Sequence, residues 1–256
     1  MKNIFTFYIL LLLGFFLNAQ NLKSPDNNLD LNFSIDEKGR AFYSLNFHDK
    51  PVILNSGLGF MLKDNVEWMK IDTLDMMNNF KILNVRFDSV DEYWNPVWGE
   101  ESEIRNNYNE MFVELQQIES ERKVNIRFRL FDDSLGFRYE FPLQEKLGSF
   151  IIIDEKTEFA MAGDHTAMWI PGDYDTQEYN YTTSKLSEIE QKSIEFKEEN
   201  VSMYRFSNWA VQTALMMKSQ NGLYINIHEA ALIEYSAMHL EFNPVNMTFE
   251  SHLTPD

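Results

Sequence analysis

Strict alternation of apolar and polar residues is the feature that most constrains the fold of this chain. Apolar residues occupy every second position over 29–35 and again over 43–47, and the turn between these runs ends at Gly39. A period of two places alternate side chains on opposite faces of a β-strand. The two runs therefore predict a β-hairpin in which Gly39 adopts a positive φ.

A second hairpin is predicted over 124–130 and 137–141, with a turn at 132–136 between the two runs. Further short strands are predicted at 52–54, 59–63, 81–87, 111–115, 150–153, 212–217, 223–228 and 247–250. Many short strands separated by turns predict an all-β sandwich rather than βαβ units. Segment 183–199 is a candidate helix, with a solvated loop as the alternative.

Composition supports one stable domain without covalent cross-links. The 256 residues include no cysteine, 44% are hydrophobic and 14% are aromatic. A chain without disulfides depends on its hydrophobic core, and this length is sufficient to build one. Bulky aromatic side chains are typical of sheet surfaces and sandwich cores.

The N-terminus has the pattern of a secretory signal peptide. Lys2 precedes an apolar run over 4–17, and Ala19 provides a small residue for cleavage. The run is shorter than the about 20 residues of a membrane-spanning helix, although an N-terminal anchor remains the alternative. We therefore expect a signal peptide at 1–19, a single domain at 20–256 and export to the periplasm or the medium.

Charge limits the classes of partner. The formal net charge is −18 at pH 7. Nucleic acids and anionic lipids attract Lys and Arg, so such an acidic chain is poorly suited to either. Neutral polymers such as glucans, and cations, remain suitable partners.

No complete catalytic set is visible in the sequence. His228-Glu229 lacks the second His of a zinc-protease motif, and no G-x-S-x-G elbow or phosphate-binding loop is present. Gly57, Gly59 and Gly136 are interpreted as turn residues. The five histidines are interpreted as structural or surface residues.

Segment 93–109 is the first candidate site because it combines aromatic and charged residues. Trp94 and Trp98 could stack on sugar faces. Hydroxyl groups could bind to the neighbouring charged residues Glu100, Glu101, Glu103 and Arg105. The alternative is a turn whose tryptophans pack on the sandwich and whose charges pair with one another.

Segment 162–181 is the second candidate site because it is rich in carboxylates. Asp173, Asp175 and Glu178 fall within six residues. Calcium takes about six to eight oxygen ligands, and one loop can supply a few of them. The spacing is not that of an EF-hand, and a hydrogen-bonded loop is the alternative.

Four long stretches carry a resemblance to a known family. They are WNPVWGEESEIRNNYNE (94–110), IRFRLFDDSLGFRYEFP (126–142), MWIPGDYDTQEYNYTTSKLSEI (168–189) and NGLYINIHEAALIEYSAMHL (221–240). Together they resemble the N-terminal domain of glycoside hydrolase family 97, most closely the exported α-glucosidases of bacterial starch utilisation. The resemblance runs from about Gln20 to the last residue.

This resemblance implies both a fold and a role. It implies a β-super-sandwich similar to the galactose mutarotase fold, followed in the family by a catalytic (β/α)8 barrel that carries the acid and the base or nucleophile. In the calcium-dependent α-glucosidases of the family, the N-terminal domain contributes one glutamate to the calcium site, and the matching motif DTQEY places it at Glu178. Asp173 and Asp175 are then only neighbours of the metal ligand. The chain is thus expected to assist catalysis on α-linked oligosaccharides without catalytic residues of its own.

Three alternatives remain open at this stage. The parent enzyme could be of the α-galactosidase type, since the stereochemical outcome depends on barrel carboxylates. The chain could be a free-standing carbohydrate-binding module that uses Trp94 and Trp98. A mutarotase-like enzyme would need a His and a Glu facing one pocket. The end of the chain directly after a predicted strand suggests a boundary inside a longer protein.

Overall fold

The computed structural model describes residues 19–64, 73–195 and 204–255. Strands dominate this part of the chain. In chain order they are β1 (Gln20–Lys23), β2 (Leu29–Ile35), β3 (Ala41–Phe47), β4 (Lys50–Leu58), β5 (Phe60–Asp64), β6 (Thr73–Met76), β7 (Phe80–Trp94), β8 (Ile104–Gln117), β9 (Lys123–Leu130), β10 (Leu135–Glu140), β11 (Phe150–Glu155), β12 (Glu158–Ala160), β13 (Thr166–Trp169), β14 (Thr182–Lys185), β15 (Ala210–Gln212), β16 (Leu215–Lys218), β17 (Tyr224–Ile227), β18 (Met238–Asn243) and β19 (Thr248–Leu253). The prediction of an all-β fold is confirmed; its likeness to the galactose mutarotase fold stays a prediction.

Antiparallel sheets account for all of these strands. The sheets have the orders β1-β2-β3-β4, β10-β9-β8-β7, β11-β5-β6, β12-β19-β18-β15 and β14-β13-β16-β17. Both predicted hairpins are present, as β2–β3 and β9–β10. Gly39 has φ +73° in the first turn, as the pattern predicted. A Cβ at that position would lie 2.4 Å from the backbone nitrogen of Phe80, so the turn also requires glycine for space.

The main core lies between the first two sheets. Alternation in β2 and β9 turns one face of each strand inward, where Phe33 and Phe128 are fully buried with ring centroids 5.8 Å apart. Tyr43 packs on Phe137 from the neighbouring strands, with centroids 5.3 Å apart. Tilted ring pairs of this kind add about 0.5–1.5 kcal/mol each beyond the burial of their area.

Strands β7 and β8 form a hairpin that extends well beyond the neighbouring strand β9. It pairs from Phe80–Gln117 to Trp94–Ile104, whereas β9 accompanies β8 only from Gln116 back to Asn109. The remaining pairs, over 90–94 and 104–108, form a two-stranded arm with the loop 95–103 at its tip. The sequence-based strands at 81–87 and 111–115 missed this extension.

Strand β12 connects the main core to the C-terminal half. Tyr43 Oη donates to the carbonyl of Glu158 (2.9 Å), and Gly57 N donates to Glu158 Oε2 (2.7 Å). A Cβ at Gly57 would lie 2.9 Å from that oxygen. The interpretation of Gly57 and Gly136 as turn residues is wrong, because they lie within β4 and β10.

The candidate helix is only partly helical. Residues Thr182–Lys185 form β14, a 3-10 turn follows at Leu186–Glu188, and α1 spans Ile189–Glu195. Strand pairing between β14 and β13 overrides the helical pattern at its start. Residues 196–199 of the predicted helix lie outside the described residues.

Residues 1–18 of the predicted signal peptide also lie outside the described residues, so the boundary at 19 stays a prediction. Among the helices of the described residues, none has both the length and the apolar character needed to cross a membrane.

Candidate functional site

Glu178 lies on the loop between β13 and β14, and its side chain is exposed to solvent. Its backbone N–H donates to Thr176 Oγ1 (3.0 Å), which tightens the turn before it. Within the described part of the chain, the Glu178 carboxylate has no hydrogen-bond or ion-pair partner.

Asp173 holds the shape of this loop. Its side chain is buried (3% exposed), and its two oxygens accept four hydrogen bonds. Oδ1 accepts from the backbone N–H groups of Asp175 (2.8 Å) and Thr176 (3.2 Å). Oδ2 accepts from Tyr179 Oη (2.6 Å) and from the backbone N–H of Tyr204 (2.7 Å). Asp173 thus acts as an internal brace rather than as a solvent-facing carboxylate.

Side chains of β15 and β18 also donate hydrogen bonds to this loop. Gln212 Nε2 donates to the carbonyl of Thr176 (2.7 Å), and His239 Nε2 donates to the carbonyl of Asp173 (2.9 Å). Burial lowers the pKa of His239 below its ordinary value, which favours the neutral ring with its proton on Nε2. These contacts connect the Glu178 loop to strands that are more than thirty positions away in the sequence.

An aromatic stack fills the space beside these contacts. The Phe206 ring stacks on His252 (centroids 4.0 Å apart) and on Tyr174 (4.9 Å). Tyr174 Oη and His252 Nε2 form a hydrogen bond. Burial lowers the pKa of His252, so this ring too is neutral at neutral pH. The interpretation of these histidines as structural residues agrees with these contacts.

The described residues do not form a complete metal site at this loop. In residues 19–64, 73–195 and 204–255 there is no group of three or more His, Asp or Glu side chains arranged to hold a metal ion. The exposed Glu178 carboxylate is of the oxygen-ligand type that calcium prefers, and a calcium ion there would need most of its ligands from outside the described residues.

A cleft of about 330 Å³ opens next to the Glu178 loop. It is lined by Gln177, Gln212, Thr213, Ala214, Glu229, Leu232, Ala237, Met238 and His239. The outer wall is the 228–236 loop, where Tyr235 Oη donates to Glu155 Oε2 (2.6 Å) on β11. Burial raises the pKa of Glu155, which Thr157 Oγ1 also contacts (2.6 Å).

His239 and Glu229 face one cleft, as the mutarotase-like hypothesis requires. The Nε2–H of His239 is committed to the Asp173 carbonyl, and its Nδ1 lies 3.4 Å from Thr254 Oγ1. The ring is therefore held as a structural donor.

Trp94 and Trp98 lie in a different part of the molecule, on the arm of β7 and β8. Trp94 ends β7 and is 49% exposed, and Trp98 lies in the loop at the tip and is 88% exposed. Trp98 is thus almost fully exposed, whereas about half of Trp94 is covered. At the base of the loop, Arg105 binds both carboxylate oxygens of Asp91 (2.7 and 2.8 Å), so part of the local charge is paired.

The sequence motifs did not single out Gln212, Glu155 or Tyr235. Gln212 lay inside a predicted strand, and the other two carried no spacing signal. Their roles come from contacts between distant segments.

A family model matches almost the whole described chain. Residues 22–254 match the family model described as Glycosyl-hydrolase 97 N-terminal. The chain belongs to glycoside hydrolase family 97. Within this family it corresponds to the N-terminal domain, and the match includes both the Glu178 loop and the tryptophan arm.

Solved family 97 structures are similar to it over most of its length. A family 97 enzyme in complex with acarbose, from Pseudoalteromonas sp. strain K8, is 33% identical with a TM-score of 0.77, covering 92% of this chain. A variant of that enzyme in complex with panose is also 33% identical, covers 92% of this chain and gives a TM-score of 0.76. This chain spans 32% of the length of each.

A β-arabinopyranosidase shares the fold at lower identity. It is 17% identical with a TM-score of 0.71, and the match covers 91% of this chain and 35% of the enzyme. At this identity the likeness concerns the fold alone.

Proposed function

We propose that this family 97 domain assists a calcium-dependent α-glucosidase-like hydrolase by contributing Glu178 to a metal site at the edge of a catalytic (β/α)8 barrel. The observation that carries the proposal is the exposed Glu178 carboxylate on a loop that Asp173 braces from inside. A carboxylate that is already held in place needs little reorganisation when it binds a metal ion together with the barrel.

The residues of this chain would position the metal ligand Glu178 and would not take part in the reaction themselves. Asp173, Gln212 and His239 hold the loop, so that Glu178 projects at a defined place. Calcium bound there would supply positive charge that orients substrate hydroxyls and a general-base carboxylate. The acid and the base or nucleophile would belong to the barrel, and this domain supplies none of them.

The metal proposal is tested in the enzyme that combines this domain with its barrel. Glu178→Gln keeps the shape of the side chain and removes its charge, so we expect the calcium concentration for half-maximal hydrolysis of an α-glucoside to rise at least about tenfold. Glu190→Gln is the matched control, because Glu190 is an exposed carboxylate on α1. Unchanged calcium dependence in Glu178→Gln would show that Glu178 is not a ligand.

A second function is favoured by the exposure of Trp94 and Trp98. We propose that the arm binds α-linked oligosaccharides by stacking, which is the chemistry that a free-standing carbohydrate-binding module would also use. The similar Pseudoalteromonas enzyme binds acarbose and panose, which supports this ligand class.

Calorimetric titration of the chain with maltotriose tests the arm. We expect Trp94→Ala and Trp98→Ala each to weaken binding, whereas Tyr224→Ala, which truncates an exposed aromatic side chain on β17, leaves it unchanged. Absence of binding by the unmodified chain at millimolar sugar would remove this second function.

Export follows from the predicted signal peptide and is part of the proposal. N-terminal sequencing of the secreted or periplasmic protein should find a start at Gln20. A mature protein that retains Lys2 would contradict the cleavage and leave the membrane-anchored alternative.

A further inference from the structure

Strand β7 is the longest of the described strands and forms one edge of its sheet. It has 15 residues, and in the order β10-β9-β8-β7 only β8 lies beside it. The edge is covered at its start, because the N–H of Phe80 donates to the carbonyl of Gly39 (3.0 Å). Among the described strands, none except β8 pairs with residues 81–94. A long edge of this kind is a template for pairing with another chain.

One face of β7 continues the apolar layer of the core. Val85 lies opposite Val113 and Phe87 lies opposite Met111, and both of these β8 residues are fully buried. Directly opposite residues of an antiparallel pair share a face of the sheet. Val85 packs partly buried against the core, whereas Phe87 is 54% exposed. The apolar layer is therefore open to solvent at the β7 edge.

The residues on either side of Phe87 carry opposite charges. Arg86 precedes it and Asp88 follows it, and both are exposed. Arg86 has a long ion pair with Glu114 on β8 (3.6 Å). Within the described residues Asp88 has no ion pair, and its neighbour across the strands is another acid, Glu110. A cation from outside the chain would thus meet an unpaired carboxylate here.

A twofold axis through Phe87 makes these features complementary. If two copies of β7 pair antiparallel around this residue, the two Phe87 rings lie opposite each other and each Arg86 lies opposite the Asp88 of the second copy. Opposite side chains in such a pair have Cβ atoms about 4.5–5.5 Å apart, which is within reach of an ion pair. A parallel pair in register would instead bring Arg86 against Arg86 and Asp88 against Asp88. The charges therefore favour the antiparallel arrangement.

Other properties of the chain limit the strength of this contact. Two chains with a formal net charge of −18 repel each other, although physiological salt screens charges beyond about 8 Å. The bulge between Ile82 and Asn84 interrupts regular pairing on one side of Phe87. The contact is therefore small, which is typical of weak and reversible association.

We propose that the β7 edge is an interface for a second copy of this chain, which pairs antiparallel around Phe87. The pair joins two four-stranded sheets into one sheet of eight strands. This interface is independent of the proposed calcium and sugar contacts.

Sedimentation velocity in about 0.15 M salt tests the interface as the concentration of the chain is raised to about 1 mM. We expect a reversible equilibrium between monomer and dimer. Phe87→Lys places two cations against each other at the twofold axis and should raise the dissociation constant at least about tenfold. The control is Val245→Lys, which adds the same charge at a 92% exposed position between β18 and β19 and should leave the dissociation constant unchanged.

Two charge reversals test the twofold arrangement itself. Arg86→Asp opposes acid to acid across the axis, and Asp88→Arg opposes base to base, so each variant alone should dimerise at least about tenfold more weakly. In an equal mixture, the new acid of the first variant faces the new base of the second, and Asp88 of the first faces Arg86 of the second. The mixture should therefore recover the affinity of the unmodified chain. Circular dichroism checks that each variant is folded.

Three results would overturn the inference. A chain that remains monomeric at about 1 mM does not use this edge for self-association. A dimer that persists with unchanged affinity in Phe87→Lys forms through another surface. If the unmodified chain dimerises but the mixture of the two folded charge variants does not recover its affinity, the strands do not pair around the proposed axis.

Discussion

Replacing Asp173 by alanine tests the claim that a buried carboxylate shapes the Glu178 loop. The change removes the acceptor of four hydrogen bonds, two of which come from Tyr179 and Tyr204. Hydrogen bonds to charged groups are worth about 1.5–3 kcal/mol each, which gives a gross loss of about 6–12 kcal/mol.

Two effects reduce this loss. Removing the carboxylate also removes its own desolvation cost of several kcal/mol. Moreover, the donors on Asp175, Thr176 and Tyr204 belong to exposed or half-buried residues, so water can replace part of what they lose. We therefore expect a net destabilisation of about 3–5 kcal/mol, the range found when one partner of a buried charged contact is removed.

Urea denaturation followed by tryptophan fluorescence measures this free energy of unfolding, with circular dichroism as a second probe of two-state behaviour. Glu178→Ala is the matched control on the same loop, and as an exposed residue it should change stability by no more than about 0.5 kcal/mol. Asp173→Asn, which keeps one acceptor oxygen, should fall between the two. A loss below about 1 kcal/mol in Asp173→Ala would refute the bracing role.

Three further predictions concern the turn and the buried titratable groups. Gly39→Ala should cost about 2–3 kcal/mol because of its positive φ and the close Phe80 backbone, whereas Gly136→Ala, which meets nothing within 4 Å, should be nearly neutral in thermal denaturation. Burial raises the pKa of Glu155, so the native state binds this proton more tightly than the unfolded state does. The free energy of unfolding should therefore fall as the pH rises from 4.5 through the raised pKa. Glu155→Gln should remove this pH dependence in urea titrations. Burial lowers the pKa of His239, so the neutral ring stabilises the native state above pH 6.5, and this stabilisation is lost as the pH falls through the lowered pKa. If His239→Gln loses stability with falling pH as steeply as the unmodified chain, this prediction is wrong.

The strands that sequence predicted well are those with one buried face. Strands β2 and β9 alternate strictly, and both hairpins appear with the predicted limits to within a residue or two. Strand β18 was missed, because its sequence MHLEFN buries adjacent residues and does not alternate cleanly. The predicted strand at 212–217 divides into β15 and β16, which pair in different sheets.

The arm shows why local pattern underestimates strand length. Residues 104–110 are rich in Asn and were not predicted as a strand, yet β8 continues through them. Its pairing with β7 satisfies the backbone hydrogen bonds, and this non-local gain outweighs the weak local preference for strand.

For this protein, the sequence alone was sufficient to predict the all-β class, the two hairpins and the family. It also singled out Glu178 and the two tryptophans as candidate site residues. These predictions depend on local periodicity and on motifs that are contiguous in the chain. Only the tertiary structure decided which carboxylate of the loop is buried, that Trp94 and Trp98 point to solvent, and that a cleft opens beside Glu178. Those properties depend on contacts such as Asp173 with Tyr204, which join segments that no local pattern relates. Burial and hydrogen-bond partners belong to the packed chain as a whole.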